Sequence, residues 1–195
     1  MNNIYAALEI GTTRTILAIG EADANGRLKM TCHAAIPSTG VRKSQILDIN
    51  QATQSIRSVL KEIERKQDEV GSKITIVNAL LVASGQHIRA DRAEGSAQVN
   101  GHKVGQEELD EVQQRAREMP LAKDRELLDI VDQDYGLDNL GGISSPRGMA
   151  GRILKLNALH IHADANRIQD SKSAAESAHI EITESVFATT CAADA

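Results

Sequence analysis

The order of apolar runs constrains this chain more than any other feature of its sequence. Three runs, at 4–10, 15–21 and 28–35, are broken by Gly11-Thr12-Thr13 and by the polar stretch from Asp23 to Gly26. Runs of this length between turn residues read as strands, and short connections make them antiparallel neighbours, so the opening predicts a three-strand meander. A loop through Pro37 and Gly40 follows. Ile49, Ala52, Ile56, Val59, Leu60 and Ile63 then recur at three- and four-residue spacing, which places one apolar face on an otherwise charged helix. Asp48 is its expected N-cap and Val70-Gly71 its expected end. The run 74–83 predicts a buried strand, which completes a layered α/β unit.

The texture changes after Ser84-Gly85. Residues 87–99 are polar and interrupted by glycine, and 106–119 predict a short charged helix stopped by Pro120, with Leu109, Val112 and Ala116 inward. Residues 127–135 and 152–162 read as strands around a Gly/Ser/Pro loop. This is the pattern of a small inserted α+β module. Residues 163–178 are helical in composition, 180–187 read as a strand, and ATTCAADA resembles the start of another helix. The chain is therefore expected to be a fragment of a larger architecture.

Composition removes whole classes of function. One Phe and two Tyr leave an aliphatic core and almost no platform for stacking bases, and a net charge of −5 with interspersed Lys and Arg gives no attraction to phosphate backbones. Nucleic acid is not an expected partner. Cys32 and Cys191 lie far apart and form no disulfide framework, which fits a cytoplasmic, reducing compartment. No apolar run approaches the roughly 20 residues of a membrane span, and the first residues lack a signal-peptide pattern. Membrane contact is expected only as peripheral.

The heptad LEIGTTR, residues 8–14, is the strongest candidate for chemistry. Backbone N–H groups in a turn at Gly11 can converge on a phosphate, with the hydroxyls of Thr12 and Thr13 as further donors. The carboxylate of Glu9, one step before the turn, can hold magnesium through water. The heptad alone fits a plain β-hairpin with polar turn residues better, since short Gly/Thr turns are common. His160 and His162 share one strand face, but no further ligand accompanies them, so they are expected as strand-face residues near the surface. Ser84, Ser144 and Ser145 lack a nucleophile-elbow signature, and no hydrolase is inferred.

Context resolves the heptad. LEIGTTRTILAIGE followed by a third strand, a loop and a helix resembles the first phosphate loop of the actin, Hsp70 and sugar-kinase superfamily. IPSTGVRKSQILDINQATQSIRSVLKEIE and IVNALLVASGQHIRA are similar to the loop, first helix, strand and Ser-Gly step of the bacterial cell-division family FtsA. Residues 125–164 resemble that family most specifically, through the acidic Gly-Ile turn at 138–143 and the Pro146, Gly148, Gly151 step. The proline fixes a turn entry, and the glycines allow backbone angles or close approaches that a side chain forbids.

The resemblance implies an actin-like, ribonuclease H-like α/β subdomain 1A at 1–85 and 163–195. Between its two parts, at 86–162, it implies an inserted α+β subdomain 1C of SHS2 type. It implies a divisome role, with self-association and recruitment of later division proteins through 86–162, at the cytoplasmic face of the membrane at the division site. FtsZ and membrane contacts belong to family segments not present here. ATP and magnesium are the family's cofactors, carried over to Gly11, Thr12 and Thr13, with Glu9 standing where the family more often has Asp. Because the second phosphate loop and the adenosine pocket lie beyond Ala195 in the family, this chain alone is expected to bind ATP weakly or not at all. A nucleotide-dependent ATPase or kinase of the same superfamily is the alternative.

Overall fold

The computed structural model describes residues 3–193 except Ser72 and Met119. Two compact units emerge, one built from residues 1–87 with 164–195 and the other from 88–163.

In the first unit the meander forms as β1 (Asn3–Ile10), β2 (Arg14–Ala22) and β3 (Leu28–Pro37), paired antiparallel in sequence order. A small hairpin, β4 (Val41–Arg42) and β5 (Gln45–Ile46), occupies the stretch read as loop. Helix α1 (Ile49–Glu69) begins at Asp48, whose side chain accepts from the N–H of Gln51, and closes at Gly71 with φ +69°. Strand β6 (Asn78–Ala83) then enters parallel to β1. After the second unit, the chain returns as α3 (Ala165–Ser177), β11 (Glu181–Phe187) and α4 (Ala188–Ala193). Strand β11 runs parallel to β6, giving the sheet order β11-β6-β1-β2-β3.

The core lies on one face of that sheet. Leu8, Leu17, Ile19 and Ala34 from the strands meet Ala52, Ile56, Val59 and Ile63 of α1 and Ala174 and Ala175 of α3, all buried. Thr53 Oγ1 donates to Ala174 O at 3.2 Å and Arg57 Nη2 to Ser177 O at 2.6 Å, stitching the two helices together. Two expectations need correction. Ile49, the first residue of α1, is 40% exposed rather than part of the buried face. Residues 74–77 are not ladder-paired, because β11 has its first pairing opposite Asn78.

The second unit is the antiparallel sheet β7-β10-β8-β9 with one helix. Its strands are β7 (Arg89–Gln98), β8 (Arg125–Leu137), β9 (Leu140–Ile143) and β10 (Ile153–Asp164), and α2 (Gln106–Arg117) packs on β7. Met119, the expected end of this helix, lies outside the described residues. The polar stretch 87–99 was not read as a strand. Its inward residues are Ala93, Gly95 and Ala97, too small to register as an apolar run, and they make room for α2. Gly148 has φ +81°, and a Cβ on Gly151 would lie 2.5 Å from Leu137, so the Pro-x-Gly-x-x-Gly step serves one backbone angle and one close approach.

Candidate functional site

The carboxyl ends of the parallel strands β1 and β6 carry the predicted turn. Open α/β sheets hold their ligands at such ends, where loops diverge and leave a crevice. Gly11 does not offer its N–H outward: it donates to Arg14 O at 3.0 Å within the hairpin. The glycine is needed for space, since a Cβ there would lie 2.9 Å from the same carbonyl oxygen. The N–H groups of Thr12 and Thr13 have no acceptor in the chain among the described residues and are the turn's outward donors. Both threonines are exposed.

Glu9 sits in a revealing row. Cross-strand partners Val186, Val82, Glu9, Ile16 and Ala35 run across all five strands on the face opposite the helices. Glu9 is the one charged member. Its Oε1 accepts from Ser84 Oγ at 3.0 Å, which ties the ends of β1 and β6 together and leaves Oε2 with no protein donor among the described residues. A half-buried carboxylate in an apolar row, held by one hydroxyl, suits a water-bridged cation.

Sequence reading did not register the hairpin over the turn. Lys43 and Ser44 occupy its two turn positions with φ +49° and +54°, the left-handed geometry that normally selects Asn-Gly. Ser44 N donates to Thr12 Oγ1 at 2.8 Å. Because Thr12 Oγ1 accepts this bond, its own hydrogen is free to be donated elsewhere. Gly85, with φ +120°, backs onto Ser44, and a Cβ at Gly85 would lie 2.5 Å from the Ser44 Cβ. Ser84 therefore acts as a clamp on Glu9.

In the second unit the two histidines are not near the surface. His160 and His162 are each 3% exposed. His160 Nε2 lies 2.8 Å from Ala116 O. Arg125 Nε donates to His162 Nδ1 at 2.7 Å, so the ring proton sits on Nε2, which meets Asp91 Oδ2 at 2.9 Å. His160 is covered by the last turn of α2, and His162 lies between Arg125 and Asp91. Ser144 and Ser145 fall in the loop after β9, apart from either histidine in the ladder. The open face of this sheet carries a groove of about 410 Å³ lined by Arg92, Gln133, Asp134, Asn157 and Leu159. No described helix is long and apolar enough to cross a membrane.

Comparison with known proteins agrees with this architecture. Residues 85–162 match the model of the SHS2 domain inserted in FtsA. The cell division protein FtsA of Pseudomonas aeruginosa is 25% identical over 184 residues, covering 94% of this chain and 43% of the relative. FtsA of Neisseria meningitidis serogroup B is 28% identical over 171 residues, covering 88% and 40%. FtsA of Bacillus subtilis is 25% identical over 185 residues, covering 94% and 41%. The chain thus spans about two-fifths of the length of the curated relatives it matches. The solved PilM–PilN type IV pilus biogenesis complex aligns with a TM-score of 0.57 at 13% identity, over 94% of this chain and 47% of that one, a likeness of fold alone. The chain is an FtsA-related protein with an actin-like sheet and the inserted SHS2 domain of FtsA.

Proposed function

We propose that this protein is an FtsA-like scaffold of bacterial cell division that gathers later division proteins, and further copies of itself, through residues 86–162. The observation that carries the reading is the match of 85–162 to the SHS2 domain inserted in FtsA, realised as a separate compact unit between the two parts of an actin-like sheet. The groove on its open sheet face is large enough to receive a short peptide. The place of action is the cytoplasmic face of the membrane at the division site.

The experiment compares the chain with a variant in which 86–162 is replaced by a short Gly-Ser link, using bacterial two-hybrid pairs and pull-down with division proteins. Loss of both self-association and capture is expected. Retention of both would sink the reading.

A nucleotide-dependent ATPase or kinase is the second reading, favoured by the Ser84-held carboxylate of Glu9 beside the Gly11-Thr12-Thr13 turn. Bound ATP would supply phosphates to the Thr12 and Thr13 donors, and magnesium would sit on Glu9 through water. One turn grips a triphosphate weakly and positions no attacking water, so the scaffold reading is preferred. Calorimetry with magnesium and ATP is expected to show weak or no binding by these residues alone.

A further inference from the structure

We infer that Arg167 completes an oxyanion cavity at the carboxyl ends of β1 and β6, one that takes an oxygen of a phosphoryl group. The inference rests on the nucleotide-phosphate reading of the neighbouring turn and deepens it. A cavity of about 20 Å³ lies there, lined by Ile10, Ser44, Ser84, Arg167 and Ser171. That is room for one water-sized group. An oxygen of a tetrahedral anion fits inside, while the rest of the anion stays at the mouth.

Charge selects the occupant. Arg167, on the first turn of α3, is half-buried, and its guanidinium has no acceptor among the described residues. Arg57, Arg65 and Arg115 are engaged, with Ser177 O, Glu62 and Ser96 O, whereas Arg14 and Arg152, whose guanidinium groups have no acceptor among the described residues, are exposed to water. A partly desolvated cation without an acceptor is costly, and a phosphoryl oxygen offsets that cost with a charge-assisted hydrogen bond. The serines divide their roles. Ser84 spends its hydrogen on Glu9, and Ser171 spends its own on Arg167 O. Ser44 Oγ has no partner within the chain among the described residues and remains a donor for the anion. The end of α3 is not itself the source of attraction, because Asp164 takes the N–H groups of Asn166 and Arg167.

The chemistry is shared by two sources, the terminal phosphate of a magnesium nucleotide and free inorganic phosphate. An isotope-labelled sample of the whole chain is titrated with inorganic phosphate against chloride at matched ionic strength, following the Arg167 Nε–H signal by NMR. A parallel titration uses the magnesium complex of a non-hydrolysable ATP analogue. Phosphate is expected to shift that signal. Arg167→Gln is expected to weaken phosphate binding about tenfold or more, the weight of one charge-assisted contact. Arg167→Lys is expected to fall between, and Arg27→Gln, in the β2–β3 turn, to match wild type. Should Arg167→Gln fail to fold, Arg167→Lys and Ser44→Ala carry the same comparison.

A shift with phosphate alone assigns the cavity to the free anion, and a shift with both assigns it to the nucleotide's terminal group as well. Equal affinity in Arg167→Gln and wild type overturns the inference, as does silence of the Arg167 signal in both titrations. Analogue binding lost in Thr12→Val and Thr13→Val but unchanged in Arg167→Gln sinks this inference alone and leaves the nucleotide reading standing. Absence of analogue binding by the wild-type chain, with Arg167 still responding to inorganic phosphate, sinks that reading instead.

Discussion

Gly95 on β7 lies so near the carbonyl of Val112 on α2 that a Cβ at this glycine would stand 2.1 Å from the oxygen and 2.7 Å from the Ala116 nitrogen. Both obstacles are backbone, so neither can rotate away. Gly95→Ala is expected to force α2 off the sheet, at a cost of about 3 kcal/mol or more. Thermal unfolding followed by circular dichroism should show the low-temperature loss of a partial transition. Gly141→Ala, where nothing lies within 4 Å, serves as the control. A melt of Gly95→Ala that matches wild type would contradict the close approach.

Glu9 separates function from stability. It interrupts an apolar row across the sheet and is satisfied by a single hydroxyl. Glu9→Leu should therefore raise the stability of the first unit by about 1 kcal/mol, since the row becomes continuous and a carboxylate no longer has to be desolvated. Ser84→Ala should lower it by about 1 kcal/mol, because Glu9 Oε1 loses its donor. Urea midpoints of the two variants test the opposite signs. If Glu9→Leu is destabilising, the carboxylate is structural and its place in a cation site loses support.

Acid acts on the start of α2. The N–H of Gly105, followed by that of Asn100, holds the Glu108 carboxylate below the usual glutamate range. A depressed folded value means that the group contributes fully above its unfolded value of about 4.3 and that the contribution disappears as pH falls through the lower folded value. The melting temperature of wild type should drop on acidification over that window. Glu108→Gln keeps an acceptor oxygen but does not titrate, so its profile should be flatter there. Parallel profiles would remove Glu108 as a source of the acid sensitivity.

How legible the fold was depends on side-chain size and on local geometry. The meander, α1 with its Asp48 cap and Gly71 end, and the Gly148 and Gly151 step follow from periodicity and from backbone freedom, both written into residue type. Strand β7 was hidden because Ala93, Gly95 and Ala97 are inward yet small. His160 and His162 were misplaced because their burial is set by α2 and by Arg125, which lie 44 and 37 residues away in sequence. At the candidate site, Glu9 and the threonines were visible as a motif. Ser44 and Arg167 were not, since a Lys-Ser turn carries no hairpin signature and an arginine on a helix reads as a solvated face.

The Lys43-Ser44 turn stores strain over the phosphate turn. Both residues hold left-handed φ values that cost an L-residue with a Cβ about 1 kcal/mol each relative to glycine. Ser44→Gly keeps the N–H that donates to Thr12 Oγ1 and removes the Cβ that makes the left-handed backbone costly. It is expected to stabilise the first unit by about 1 kcal/mol, a rise of about 3 °C for a chain of this size. It also deletes the one serine hydroxyl at the Arg167 cavity that is still a donor. Phosphate affinity should therefore fall while the melting temperature rises. A variant that is more stable and binds phosphate as well as wild type would assign the hairpin to architecture alone; a variant that is less stable would show that the turn is held by contacts of the serine side chain rather than by its backbone N–H.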